Sequence, residues 1–345
     1  MHTLPLPGDL RNVLKNIIFK LQGKAARRAA FFAVCREGHN GCGVLLFSPL
    51  TQTAGNIERM RGFCYDGEDE PDEPPCGLPM PADGGPGADG FMTIHENKPE
   101  EQNMYIMDDG IRLNAKLDMP EKHGEKCPLV IVIHGFTGHM EERHILAVSR
   151  AMNELGYATL RAELYGHGQS GGKFEDHNLY KWLNNVLAVT AYAKGLDFVT
   201  DLYLCGHSQG GLTTMLAAGM MPETFKAILP LSPAIAILDG ARSGLLLGTP
   251  FDPDHIPEFL AFDDKRLRGD YVRVAQTLHV EEAIRRYHGP VLLVHGDADA
   301  AVPLRDTIAA SEQYENATLV IIKGDTHCYD YHLGKVTAAV KAFLS

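Results

Sequence analysis

The chain has no uninterrupted apolar run of eighteen residues, the least a membrane-spanning helix needs, so no spanning helix is expected. It also lacks positive charge. Its 32 Lys and Arg stand against 44 Asp and Glu, and the balance of −12 argues against nucleic acid as a main partner. Cysteine is sparse, odd in number at seven, and irregularly spaced. Cys35, Cys42, Cys64 and Cys76 fit no zinc spacing, which excludes a disulfide framework or zinc module as the organising device; reduced thiols in a cytoplasmic protein are the simpler reading. No pair of histidines and carboxylates has metal-site spacing, so neither metal nor cofactor is expected. A secretory signal lacks support, because Arg27-Arg28 lead only into the short apolar stretch 29–35 and then Arg36-Glu37. Tryptophan occurs once, as Trp182, and is expected in the core.

What is present divides the chain in two. Leu10, Val13, Leu14, Ile17, Ile18 and Leu21 fall at helical spacing, with Arg11, Lys15, Lys20 and Lys24 between them. That pattern suits a basic amphipathic helix, packed on the main domain or lying on a membrane surface. Residues 66–75 and 81–87 are acidic and dense in Pro and Gly. Such a segment buries too little apolar surface to offset its ordering entropy. Residues 1–102 are therefore expected to form a disordered, dispensable N-terminal extension, and residues 103–345 the folded domain.

From Met104 onward a foldable pattern begins. Residues 105–107, a turn at Asp108-Asp109-Gly110 and residues 111–117 read as a hairpin. Residues 128–133 are a continuous apolar run, as a buried parallel strand requires. Helices at 145–155, 179–194, 212–221, 307–314 and 336–344 then alternate with strands at 157–161, 201–205, 227–231, 291–295 and 318–322. This alternation builds an α/β fold: a mostly parallel sheet with helices on both faces. The gap after Pro233 is far longer than an ordinary connection, and residues 234–288 are expected to form a cap inserted over the strand ends.

The stretch 202–211 carries the chemistry. It reads as a strand, a turn with Gly206-His207-Ser208-Gln209-Gly210, and a helix start. A G-x-S-x-G at that junction forces the serine into a strained turn and projects its hydroxyl from the sheet. A serine hydroxyl needs a base, and the base an acid to orient it. His327, in the Gly324-Asp325-Thr326-His327-Cys328 loop after the last strand, is the candidate base. Of the two aspartates in Gly296-Asp297-Ala298-Asp299, Asp299 is the candidate acid and Asp297 the turn cap. Two amides are needed for a developing oxyanion: Gln209 at the helix start, and Phe136 in His134-Gly135-Phe136-Thr137-Gly138 after the first parallel strand. The glycine-rich loop at 165–171 lacks phosphate-loop spacing and reads as a tight loop shaping the site floor.

On these motifs, and on Asp270-Tyr271-Val272-Arg273-Val274-Ala275-Gln276, residues from about 104 to the end resemble the bacterial cinnamoyl (feruloyl) esterases of the α/β-hydrolase superfamily. The resemblance implies an α/β-hydrolase fold, a Ser208–His327–Asp299 triad and hydroxycinnamate esters as substrates, with no cofactor. It further implies that a cap tyrosine and an early cap aspartate meet the phenol of the acid; Tyr271 matches the first, and Asp239 lies near the place of the second. The alternative keeps the triad but changes the substrate, to a lipase-like or monoacylglycerol hydrolase or an acyltransferase, with Leu245-Leu246-Leu247 in its favour. A hydrolase-like fold used only for binding would need no intact Ser, His and Asp set. The partners expected are a small-molecule ester and, for assembly, a second copy in a homodimer, with neither nucleic acid nor membrane.

Overall fold

The computed structural model describes residues 101–345 apart from Asp263, with side chains from Met104. The 10–21 helix, the acidic Pro- and Gly-rich segment and all but the last two residues of the expected extension lie outside the described residues.

Eight strands form one sheet: β1 (Glu101–Asp108), β2 (Ile111–Asp118), β3 (Cys127–Ile133), β4 (Ala158–Ala162), β5 (Val199–His207), β6 (Phe225–Leu231), β11 (Val291–Gly296) and β12 (Ala317–Ile322). Their order is β1-β2-β4-β3-β5-β6-β11-β12. β2 runs antiparallel to β1 and β4, and every other neighbouring pair is parallel. The first strand is longer than the expected 105–107, because its backbone pairs with β2 residue by residue from Glu101↔Asp118 to Asp108↔Ile111.

The central strands are apolar throughout because helices cover both faces. Along β3, side chains alternate between two cores. Leu129, Ile131 and Ile133 pack with Trp182 and Val186 of α2 (Leu179–Lys194) and with Leu212 and Met215 of α3 (Gln209–Met220). Val130 and Val132 pack with Ile145, Val148 and Met152 of α1 (Arg143–Glu154) and with Val336 and Val340 of α8 (Leu333–Leu344). α2 starts where Asn178 Oδ1 accepts from Lys181 N at 3.0 Å and stops at Gly195. α3 is buried on every side from Gln209 to Gly219, so the helix behind the candidate nucleophile is held by the whole domain.

Between β6 and β11 the chain inserts α4 (Ala236–Ser243), a ribbon of β7 (Leu245–Leu246) and β8 (Thr249–Pro250), a ribbon of β9 (Phe259–Phe262) and β10 (Lys265–Arg268), then α5 (Asp270–Thr277) and α6 (Val280–Arg286). α6 seats against α3 so closely that a Cβ on Gly219 would lie 2.3 Å from Ala283 Cα. Arg266 and Arg268 of β10 reach Glu175 and Asp176, each at 2.6 Å, and tie the insertion to the loop before α2. α7 (Leu304–Ser311) separates β11 from β12. Among the described residues no helix is long and apolar enough to cross a membrane, and Cys127, Cys205 and Cys328 are free thiols.

Candidate active site

Ser208 sits between β5 and α3 with φ +57° and ψ −119°, in the left-handed region that side chains rarely occupy. Its neighbours make the strain tenable. A Cβ on Gly206 would lie 2.3 Å from Gly210 O, and one on Gly210 would lie 2.3 Å from His134 O. Strand, turn and helix can approach only because both positions are glycine. Ser208 N donates to Leu231 O at 2.9 Å, and its carbonyl accepts from Leu212 N and Ala234 N at 3.0 Å each. These bonds over-determine the turn.

His327 enters from the loop after β12. Its Nε2 lies 2.8 Å from Ser208 Oγ and its Nδ1 lies 2.7 Å from Asp299 Oδ2. With the carboxylate as acceptor, Nδ1 carries the proton and Nε2 is left to accept from the serine hydroxyl. The Asp299 side chain is fully buried. Burial alone would raise its pKa, but hydrogen bonds from His295, His327 and the amide of Val302 outweigh it and hold the carboxyl well below its ordinary range. Its Oδ1 accepts from Ala301 N and Val302 N, both at 2.8 Å. The two loops meet closely: a Cβ on Gly296 would lie 2.3 Å from Asp325 O. Asp297 is turned away and accepts from Gly324 N at 2.6 Å.

The 134–138 loop borders Ser208 from the β3 side. A Cβ on Gly135 would lie 3.2 Å from Ser208 Cβ. The amides of Phe136 and Gln209 donate to no other group among the described residues. Two histidines hold this loop. His134 Nε2 accepts from Leu164 N at 3.1 Å, so its Nδ1–H donates to Gly135 O at 2.8 Å. Burial, with His167 alongside, lowers the His134 pKa to about 3 and keeps the ring neutral. His167 faces Phe136 O at 2.5 Å and Tyr165 O at 2.9 Å.

The insertion between β6 and β11 reaches this group. Tyr271 of α5 is fully buried, and its hydroxyl donates to Gln209 Oε1 at 2.6 Å. Burial raises its phenol pKa well above the usual range, so it stays protonated. The ring of Phe136 has Phe174, His177, Phe262 and Tyr271 around it, with centroids 5.3–6.2 Å away. Asp239 is not brought into the group. It is exposed on α4 and pairs with Arg242 at 3.2 Å.

Sequence reasoning assigned no role to His295, His207, Asp325 or the aromatic ring. His295 donates Nε2–H toward Asp299 Oδ2 and Val302 O, each at 3.2 Å, while the Thr307 hydroxyl serves its Nδ1 at 2.8 Å. His207 donates Nε2–H to His327 O at 2.8 Å. Asp325, wholly buried, accepts from the amides of Thr326, Tyr331 and His332 and shapes the loop that presents His327. A polar residue closing an otherwise apolar strand, as His295 does, is the signal that could have found one of them.

Two family models match the chain: one described as serine aminopeptidase, S33, over residues 124–260, and one as TAP-like protein over residues 270–345. A solved structure of Est1E from Butyrivibrio proteoclasticus, with ferulic acid bound, is 62% identical with a TM-score of 0.69. The match covers 70% of this chain and 97% of that one. Human Protein ABHD12B is 24% identical over 60% of this chain, and human mitochondrial palmitoyl-protein thioesterase ABHD10 is 32% identical over 32% of it. The chain spans only 60% and 34% of the lengths of those two proteins. At 62% identity across nearly the whole of Est1E, the family is shown. The chain belongs to the cinnamoyl (feruloyl) esterase family of the α/β-hydrolase superfamily, a family of carboxylic ester hydrolases.

Proposed function

We propose that the chain hydrolyses esters of hydroxycinnamic acids through an acyl-enzyme on Ser208. The observation that carries this is the unbroken line Ser208 Oγ–His327–Asp299, with links of 2.8 and 2.7 Å and the histidine in the tautomer a general base requires. Ser208 Oγ bonds to the ester carbonyl carbon as its proton passes to His327 Nε2. His327 then returns that proton to the departing alcohol. Water repeats the sequence, releasing the free acid and restoring the serine. Asp299 orients the ring and stabilises the imidazolium. The Phe136 and Gln209 amides, which donate to no group among the described residues, receive the oxyanion.

The acid is proposed to be aromatic because Phe174, His177, Phe262 and Tyr271 surround Phe136, and because Est1E has been solved with ferulic acid bound. The phenol oxygen of Tyr271 donates to Gln209 and keeps lone pairs to accept from a ring hydroxyl. Asp239 joins as a rim contact only. A second reading, hydrolysis or transfer of an apolar acyl chain, is favoured by Leu245 and Leu247, which are 54% and 48% exposed on the cap. Comparing methyl ferulate with medium-chain glycerides, wild type beside Ser208→Ala, tests both: faster turnover of the glycerides overturns the hydroxycinnamate assignment.

The remaining elements of the proposal are a cap at residues 234–288, a dispensable segment ahead of the sheet, a homodimer and a cytoplasmic setting, the last supported by the free thiols of Cys127, Cys205 and Cys328.

A further inference from the structure

Beside His327, three potential metal ligands converge from separate elements. His144 comes from the first turn of α1, His207 from the end of β5, and Cys328 from the loop after β12. One ligand atom from each lies within 4.8 Å of the others. Both histidines are 3% exposed and Cys328 is half-buried and free. The two rings meet edge to face with centroids 4.2 Å apart.

Two further observations point to a ligand here. His144 Nε2 is buried and has no hydrogen-bond partner, and neither has Glu142 Oε2, 4.0 Å from it. Unsatisfied buried polar atoms are rare and costly. The second is the state of His207. Its Nε2–H is committed to His327 O at 2.8 Å, which leaves Nδ1 with the lone pair, the arrangement by which proteins orient a metal-ligating imidazole.

We propose that His144, His207 and Cys328 bind a thiophilic divalent cation such as zinc, and that the bound ion restrains His327 and slows the esterase. Two imidazole nitrogens and one thiolate are a zinc donor set. Bonds of about 2.0–2.3 Å hold tetrahedral ligands about 3.3–3.8 Å apart, so the side chains close by about 1 Å. Binding forms two N–Zn bonds and one S–Zn bond; Cys328 loses its thiol proton to solvent, and the imidazoles release none. Glu142 is placed to hydrogen-bond a water in the fourth position. Two consequences reach the reaction. His207 and Cys328 grip the backbone on either side of the His327 carbonyl, so metal fixes the loop. The His207 and His327 rings are 4.7 Å apart, so the net positive site opposes the imidazolium that general-base catalysis must form. This second part rests on the role proposed for His327; the binding part does not.

Cobalt(II) added to the full chain tests the two parts separately. One equivalent is expected to give a thiolate-to-cobalt charge-transfer band that zinc displaces and Cys328→Ser abolishes. His144→Gln is expected to weaken it, and serves if the cysteine variant does not fold. Saturating zinc is expected to lower kcat on methyl ferulate by about tenfold or more, since general-base help is worth roughly 10²–10⁴. Cys328→Ser is expected to keep its metal-free rate when zinc is added. Wild type without a charge-transfer band at excess cobalt overturns the site. A band with an unchanged zinc-loaded rate overturns the restraint of His327. The band is read without substrate, so failure of the esterase assignment leaves it intact.

Discussion

The hydroxyl of Tyr271 donates to the side-chain carbonyl of Gln209 at 2.6 Å, both residues wholly buried. The insertion between β6 and β11 is thus latched to the residue that follows Ser208, whose amide is a proposed oxyanion donor. Tyr271→Phe leaves Gln209 Oε1 without its donor, beside an Nε2 that already has no partner. The expected cost is about 1–3 kcal/mol of stability, seen as a lower urea midpoint. The preference for ferulate or caffeate esters over the unsubstituted cinnamate is also expected to narrow. If the midpoint falls and the preference holds, Tyr271 acts only as a latch.

Ser208→Ala and His327→Ala are each expected to lower kcat by about 10⁴–10⁶ with the far-ultraviolet circular dichroism unchanged. The aspartates are expected to separate. Asp299→Asn removes the acceptor that sets the His327 tautomer, for a loss of about 10²–10⁴. Asp297→Asn keeps an amide oxygen to accept from Gly324 N and loses only the charge, so less than a tenfold fall is expected. Measuring kcat for both on one substrate checks the ranking; the reverse order would reassign the acid.

The fold was legible where burial left a continuous pattern. The run at 128–133 reads as a buried strand because both faces of β3 are covered, and α2 spans the expected 179–194 because Asn178 and Gly195 mark its ends. β5 runs from Val199 to His207, past the expected 201–205, because its backbone pairs with β3 from Cys127↔Val199 to Ile133↔Gly206 and with β6 as far as His207↔Leu231. β7 to β10 are two to four residues long, too short for any period to register. At the site, chain order was enough to group Ser208, Asp299 and His327. What escaped acts through tertiary contact. His295 and His207 occupy positions that no motif prescribes, and the Phe136 ring cluster is assembled from two separate loops and the insertion between β6 and β11. Asp239, taken from proximity in sequence to a family position, has its carboxylate exposed and paired with Arg242.

Acid is expected to destabilise the protein earlier than its carboxylates require. Burial, with further contributions from neighbouring charges, lowers the pKa of His134 and His177 to about 3 and that of His144 to about 4. The unfolded chain takes up these protons near pH 6.5. The stability tied to the neutral rings is therefore complete above about pH 7 and is lost as pH falls through 6 and 5 toward the folded values. Each group contributes a slope of up to about 1.4 kcal/mol per pH unit, so the three together reach about 4. Asp299, held below its ordinary value, contributes stability above about pH 4 and adds to the loss only below it. Urea unfolding at pH 7, 6 and 5 checks the sign; a flat profile would show these rings to be solvated.

Gly210→Ala is expected to be more damaging than its size suggests. The added methyl would lie 2.3 Å from His134 O and 2.8 Å from Ile133 O. Both are backbone atoms of the strand and loop that border Ser208, so neither can rotate away. A loss of about 3 kcal/mol or more is expected, against about 1–2 kcal/mol for Gly110→Ser, whose surroundings are open so that only the strain of a side chain at φ +78° is felt. Thermal melts of the two variants decide it.

The last expectation concerns where the folded unit begins. The match to Est1E spans 97% of that protein with 70% of this chain, so a whole esterase is accounted for by the later part. β1 begins at Glu101 and pairs with β2 along its full length. A chain starting at Met104 would remove three residues of that strand, among them the partners of Asp118, Leu117 and Lys116. Asp118 is also the acceptor for the buried Arg161 at 3.0 Å. A chain starting at Met92 keeps all of β1. We expect the Met92 chain to match the full protein in melting temperature and in kcat/KM on methyl ferulate, and the Met104 chain to melt several degrees lower. Loss of either property in the Met92 chain would show that residues before 92 support the catalytic domain, and the segment would not be dispensable.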